Sequence, residues 1–315
     1  AKRLRYPFLW EHACPEGVEG RYDWQRFDDR AAEIRRLGIV PVAGLVHHGS
    51  GPRFTNLLDP LFPEKLARYA AAFARRYPWI ADYTPVNEPL TTARFSALYG
   101  VWYPHARSDR EFVRALYHQV EGTRLAMEEI RRINPSARLI QTEDLGRASG
   151  SKKLEYQIRF ENHRRWLSFD LLAGRVNERH PLRKYLEKFG LLESERADLV
   201  DRPCVPDVIG VNHYLLSNRY LDDRLANYPE ALHGGNGRHR YVDVGRVDVP
   251  DAGDPISPES ILREAWERYR IPVAVTEVHV CGGRESQLRW LKEVWTAASR
   301  LREEGADIRA VTPWS

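Results

Sequence analysis

Short apolar, β-branched runs alternate with amphipathic helical stretches along the whole of this 315-residue sequence, and that alternation is its strongest constraint. The pattern predicts strands at Leu4–Leu9, Ile39–Val46, Tyr83–Asn87, Arg138–Glu143, Asp207–Asn212, Val273–Glu277 and Ile308–Trp314. Between them it predicts helices at Trp24–Leu37, Pro63–Tyr77, Asp109–Ile133, Lys153–Leu172, Pro258–Tyr269 and Arg284–Glu304. Ser257 precedes a proline at the first helical position, Gly38 and Gly305 follow helix ends, and Asn134-Pro135 stops the long helix. Strand, helix, strand, repeated along one chain, gives parallel strands joined by crossover helices. Near-continuous apolar runs such as Val273-Ala274-Val275 fit a sheet covered on both faces. The fold class expected is α/β, a (β/α)8 TIM barrel, read as a single domain over residues 1–315. Seven strands are read where such a barrel has eight, so its first strand and last helix are expected to lie outside this sequence.

Composition narrows the function classes. With 9 Trp, 15 Tyr and 10 Phe the chain can fill a large core, which excludes disorder as its main state. Its 48 basic and 44 acidic residues are interspersed and leave only +4, with no dense basic stripe, so no nucleic-acid partner is expected. No run of about 18 apolar residues occurs, so no membrane span is expected. Cys14, Cys204 and Cys281 cannot all pair, no CxxC occurs, and no charged-then-apolar leader opens the sequence. A cytoplasmic location is the expectation. The stretch from Tyr220 to Val249, rich in Gly, Asn, Arg and His, is too long for a simple connector and reads as a functional loop.

In a barrel the chemistry sits at the C-terminal strand ends. The predicted ends carry Arg5, Trp10 and Glu11; His47 and His48; Asn87 and Glu88; Gln141, Glu143 and Asp144; Asn212, His213 and Tyr214; Glu277 and His279; and Trp314. Carboxylates, amides, imidazoles and aromatics together suit a sugar, whose hydroxyls need polar partners and whose faces need flat apolar ones. Glu88 in Val86-Asn87-Glu88-Pro89 and Glu277 after Val275-Thr276 stand out. Two carboxyls flanking a glycosidic bond divide the work: one donates a proton to the leaving oxygen, the other attacks the anomeric carbon. Either Glu alone could equally cap a helix or pair with an arginine.

Other residues have plainer readings. His47 and His48 are adjacent and cannot both face one side of a strand, and no HxxxH or HExxH spacing occurs, so neither metal nor cofactor is expected. Glu143 and Asp144 are either subsite ligands or partners of Arg147 or another arginine. Trp102-Tyr103-Pro104-His105 is either an aromatic rim or a loop packed on the barrel, and Trp166, Trp290 and Trp295 read as core.

Thr84-Pro85-Val86-Asn87-Glu88-Pro89 resembles the acid/base motif of glycoside hydrolase family 1, the β-glucosidase family. Phe62 to Tyr83 is similar to the family's helix leading into that motif. Val275-Thr276-Glu277 resembles the nucleophile motif, although Val278-His279 replaces the family's Asn-Gly. Arg5-Tyr6-Pro7-Phe8-Leu9-Trp10 resembles the second barrel strand, Leu45-Val46-His47 the end of the third with His48 in place of Trp, Asp207 to Tyr214 the sixth, and Val311 to Ser315 the start of the eighth. The likeness runs in order along nearly the whole sequence.

The resemblance implies a retaining β-glycosidase acting on a small-molecule glycoside or oligosaccharide. Glu88 would be the acid and then the base, in a partly desolvated site, and Asn87 would hold the sugar 2-hydroxyl. Glu277 would be the nucleophile, kept ionised by Arg5 and Tyr214, with Asn212 steadying it or Glu88. His47 would donate to a hydroxyl at the far edge of the sugar, and Trp314 would help line the site. Retention calls for carboxyls about 5–5.5 Å apart. The sequence lacks the family's first-strand Gln and the Glu and Trp that follow its eighth strand. The barrel would then close with seven strands, or pair with a missing segment or another chain. His47-His48-Gly49 and Gly234 to Arg240 further resemble a divergent subgroup joined to a dTDP-4-dehydrorhamnose reductase-like domain, of which no Gly-x-Gly-x-x-Gly is seen here. Two other readings stay open: a non-hydrolytic sugar-binding or scaffold domain derived from a glycosidase, and a metal-dependent barrel hydrolase using the histidines.

Overall fold

The computed structural model describes residues 2–253 and 255–314. Ser315, the last residue of the expected eighth-strand match, lies outside them. The strands in chain order are β1 Arg3–Pro7, β2 Val40–His47, β3 Asp82–Asn87, β4 Arg138–Asp144, β5 Ala148–Gly150, β6 Val208–Tyr214, β7 Arg219–Asp222, β8 His233–Gly235, β9 Arg240–Gly245, β10 Val273–His279 and β11 Ile308–Pro313. The α-helices are α1 Trp10–Ala13, α2 Gln25–Arg36, α3 Phe62–Arg76, α4 Pro89–Ala93, α5 Asp109–Ile133, α6 Glu155–Arg164, α7 Leu167–Leu172, α8 Arg183–Lys188, α9 Glu193–Asp201, α10 Pro258–Tyr269 and α11 Arg284–Glu303. All seven strands read from the sequence are present, and β1–β2, β2–β3, β3–β4, β6–β10 and β10–β11 all pair in parallel, the pattern of the (β/α)8 class.

Two compact units divide the chain: residues 1–143 with 168–208, and residues 144–167 with 209–315. In the first, β1 pairs with β2, β2 with β3 and β3 with β4, all in parallel. A buried carboxylate ties three of these strands: Asp82 on β3 accepts from Arg3 on β1 and, at 2.8 and 2.9 Å, from Arg138 on β4. An aromatic core backs β1, where Tyr69 of α3 donates to the Phe8 carbonyl at 2.7 Å and stacks on Trp10. That contact seats α1 directly after β1. Helix α5 starts where Ser108 accepts from the Glu111 N–H at 3.1 Å while Ser108 Oγ donates to the Glu111 carboxylate at 2.8 Å.

In the second unit β10 lies between β6 and β11, again all parallel. Beside them a four-stranded sheet runs in the order β5-β7-β9-β8 around Leu154, Leu221 and Tyr241. The stretch from Tyr220 to Val249, read as a loop, therefore contributes β8, β9 and most of β7 to this sheet, with 3-10 turns and irregular backbone between them. Its strands are short and β7, β8 and β9 pair antiparallel, so backbone pairing organises a sequence whose side chains show no alternation.

The predicted helix Lys153–Leu172 is broken into a 3-10 turn, α6 and α7. Arg164, Arg165, Trp166 and Leu167 are buried in succession, which one amphipathic face cannot do. Trp166 and Trp290 are core as read, but Trp295 is 58% exposed. Five residues past Trp290, it has rotated off the buried face of α11. No helix among the described residues is long and apolar enough to cross a membrane.

Candidate active site

In the first unit β2 and β3 end at registered positions, His47 opposite Asn87. The residue after each, His48 and Glu88, takes a left-handed backbone, with φ of 56° and 46°. Such a conformation costs a non-glycine residue about 1–2 kcal/mol, and it concentrates at functional sites. Here it swings both side chains out of the strand alternation. His47 and His48 consequently meet, ring centroids 4.7 Å apart, so the alternation that would keep them on opposite sides ends before His48.

Asn87 is the hub of this cluster. Its Oδ1 accepts from Arg5 Nη2 at 2.8 Å and from Thr142 Oγ1 at 2.8 Å. Both donors fix the amide orientation, so Nδ2 is the atom that faces His48 Nε2 at 3.3 Å. His48 Nε2 must then accept, and its proton sits on Nδ1, donated to Thr92 Oγ1 at 3.1 Å. His48 Nε2 also lies 3.7 Å from Glu88 Oε2. Burial first, then the neighbouring His47 and Arg5 charges, push the His48 pKa down to about 3, so the ring is neutral. The cluster places Arg5, His47, Asn87 and Glu88 together and adds His48, a strand-end residue that the sequence did not mark as holding Asn87.

Glu88 is 4% exposed and leads into α4 through Pro89. Beside it, Glu143 of β4 is fully buried. Its oxygens accept from the Leu90 and Thr91 N–H groups, Thr91 Oγ1 and Ser168 Oγ. Nearer β1, the buried Oε2 of Glu11 has no hydrogen-bond partner, and burial raises its pKa above the ordinary carboxyl value. Trp102 stacks on Phe95 at 4.7 Å and approaches the His48 ring at 4.9 Å, so this part of the 102–105 stretch lies at the histidine edge of the cluster.

The second unit builds its own cluster on β6 and β10. Register steps from Val275 opposite Val211 to Glu277 opposite Asn212, so Thr276 is an extra residue. Such a bulge re-aims the side chain that follows it. Glu277, 1% exposed, accepts a hydrogen bond from the Tyr214 hydroxyl. Thr276 Oγ1 donates to Asn212 Oδ1 at 2.7 Å, tying the bulge to β6. Asn212, Tyr214 and Glu277 thus form one connected group. Trp314 follows β11, its N–H donating to the Val278 carbonyl at 3.0 Å, next to Glu277. His213, between Asn212 and Tyr214, faces the other way against Trp290, ring centroids 5.5 Å apart. Among the described residues no group of three or more His, Cys, Asp or Glu is arranged to hold a metal ion.

No protein-family model matches the sequence, and no curated protein matches it. Solved structures do resemble the fold. A family 1 β-glucosidase from Thermotoga maritima matches with a TM-score of 0.79 at 19% identity. Structures from the same organism in complex with noeuromycin and with a cyclophellitol analogue transition state mimic match with TM-scores of 0.81 and 0.80, both at 19% identity. Each match covers 100% of this chain and 73% of the other. The chain therefore has the (β/α)8 barrel fold seen in family 1 glycoside hydrolases.

Proposed function

We propose that this chain carries the catalytic residues of a retaining β-glycosidase. The observation that carries the reading is the parallel treatment of Glu88 and Glu277. Both are buried at or just past the C-terminal ends of parallel strands, and each sits at a backbone irregularity: Glu88 itself takes a left-handed conformation, and Glu277 comes directly after a bulge. Buried carboxyls held in this way among amides, a phenol and imidazoles suit sugar chemistry.

In the first step Glu277 attacks the anomeric carbon as Glu88 gives its proton to the glycosidic oxygen, and the C1–O bond breaks. Water then attacks C1, Glu88 takes its proton, and the Glu277 carboxylate leaves. Tyr214 donates to Glu277 and holds one carboxylate lone pair in place. Asn87, oriented by Arg5 and Thr142, offers its amide to the 2-hydroxyl, and His47 and Trp314 line the sugar. The resemblance to the Thermotoga β-glucosidases supports a small glycoside as substrate. His47-His48-Gly49, and the β8–β9 hairpin that holds Gly234 to Arg240, support placing the chain in the divergent branch with a reductase-like companion domain.

The test is covalent trapping. A 2-deoxy-2-fluoro β-glycoside with a good leaving group should label Glu277, and Glu88→Gln should abolish hydrolysis of unactivated β-glycosides. A label on another residue, with the chain active, would refute the assignment. Sugar binding without turnover at any pH, unaffected by Glu88→Gln, would establish instead the non-hydrolytic reading that Val278-His279 favours.

A further inference from the structure

Glu143 takes no part in the chemistry just described, yet it is fully buried and its carboxylate gathers four donors. Oε2 accepts from the Leu90 N–H at 2.9 Å and from Ser168 Oγ at 2.6 Å. Oε1 accepts from the Thr91 N–H at 3.2 Å and from Thr91 Oγ1 at 2.8 Å. Leu90 and Thr91 open α4, where backbone N–H groups have no partner within the helix. Pro89 before them has no N–H to give. From the other side Gln119 Nε2, buried on α5, donates to the Pro89 carbonyl at 3.0 Å. The segment after Glu88 is thus held at Pro89 by its carbonyl and at the next two residues by their N–H groups.

That grip matters because Glu88 sits in the left-handed region at φ 46°. A strained turn persists only where its surroundings over-determine it. A one-residue relaxation toward a common conformation would move the Glu88 carboxyl by ångströms.

We propose that Glu143 is a positioning residue for Glu88, fixing the direction of its carboxyl by anchoring the first two N–H groups of α4. The inference rests on Glu88 being the acid/base. The pairing is suited to a carboxylate: two oxygens meet four donors, two of them backbone groups that cannot turn round. An amide at this place would set an NH2 group against N–H or O–H donors. Burial pushes the Glu143 carboxyl upward from its ordinary pKa, and its four donors pull it back only in part.

The test uses the full chain as wild type and as Glu143→Gln, with Ser168→Ala as a milder variant that removes one donor if the first does not fold. Rates are read on aryl β-glycosides whose leaving groups range from acidic dinitrophenol to weakly acidic phenol. Glu143→Gln should lower kcat/KM on the phenyl glycoside by about tenfold more than on the dinitrophenyl one, because only the former needs a well-aimed proton. An equal loss on both would mean a merely structural role and would overturn the proposal. A second readout needs no turnover: amide exchange of segment 88–93 should quicken about tenfold while β2 and β3 stay protected. Unchanged protection there overturns the proposal as well. If the wild type cleaves none of these glycosides, the glycosidase reading fails, and the exchange result alone decides whether Glu143 holds the turn.

Discussion

His48 Nε2 accepts from Asn87 Nδ2 at 3.3 Å, a pairing dictated from the far side of the asparagine, where Arg5 and Thr142 both donate to Oδ1. The chain of donors continues through His48 Nδ1 to Thr92, whose hydroxyl reaches the Asn87 carbonyl at 3.4 Å. A cation at His48 would have to donate where Asn87 already donates, so geometry and burial agree on a neutral ring.

Two outcomes follow for nitrogen NMR of the His48 ring. In the wild type it should show the Nδ1–H tautomer and no titration between about pH 5 and 8, well above its depressed pKa of about 3. In Asn87→Asp a carboxylate oxygen faces Nε2, and His48 should gain a proton with a pKa raised by about 2 units or more. A wild-type ring that titrates near its ordinary value would show that the donor chain runs otherwise.

His213 carries a stability prediction. It is buried against Trp290 with neither ring nitrogen hydrogen-bonded, and burial depresses its pKa to about 4. Below the unfolded value of about 6.5 the unfolded chain binds a proton that the folded chain refuses until pH falls to about 4. Stability therefore drops as pH falls through that window. His213→Leu should remove this slope and also relieve the unsatisfied N–H, raising stability at pH 7 by about 1 kcal/mol. Denaturant midpoints from pH 4 to pH 7 check both parts. A variant with the wild-type slope would place the titration elsewhere.

The parts legible in the sequence were those fixed by burial on a regular period. Val273-Ala274-Val275 announced β10 because both faces are covered, and Ser257-Pro258 announced α10 because a capping side chain and a missing N–H have local meaning. The site residues of the first unit also lay at readable strand ends. What was not legible depends on tertiary context. A left-handed φ at His48 or Glu88 has no local signal without glycine, and a bulge at Thr276 leaves the sequence alternation looking intact. Helix α4 has five residues, too few for a period, so nothing pointed Glu143 toward its N–H groups rather than toward Arg147.

Asp82 offers a test of the first unit's strand packing. Its carboxylate is 1% exposed, while the Arg3 and Arg138 side chains it holds are about half exposed. Removing the charge returns both guanidiniums to water and loses charge-assisted bonds, so Asp82→Asn should cost about 2–3 kcal/mol. Added salt should change this loss little, because the carboxylate is shielded from the solvent. Unfolding midpoints with and without 1 M salt measure it, and a loss erased by about 1 M salt would reduce the pairing to a surface effect.

Two glycines of the second unit separate close approach from mere flexibility. A Cβ on Gly146, between β4 and β5, would lie 1.9 Å from the Ser217 carbonyl oxygen, which is backbone and cannot swing aside. On Gly234 in β8 the nearest atom would be 3.7 Å away, an ordinary contact, and no left-handed φ is needed there. Gly146→Ala should therefore force the Ser217 turn after β6 to move, costing about 3 kcal/mol, whereas Gly234→Ala should change stability by less than about 0.5 kcal/mol. Because Tyr214 sits three residues before Ser217 and donates its backbone N–H to Ser217 Oγ at 3.0 Å, the same shift should disturb the Tyr214–Glu277 bond. The Gly146 variant should lose turnover beyond its loss of folded protein, measured on the fraction that remains native, and the Gly234 variant should lose none. Equal behaviour of the two alanine variants would remove the close approach as a constraint on the second cluster.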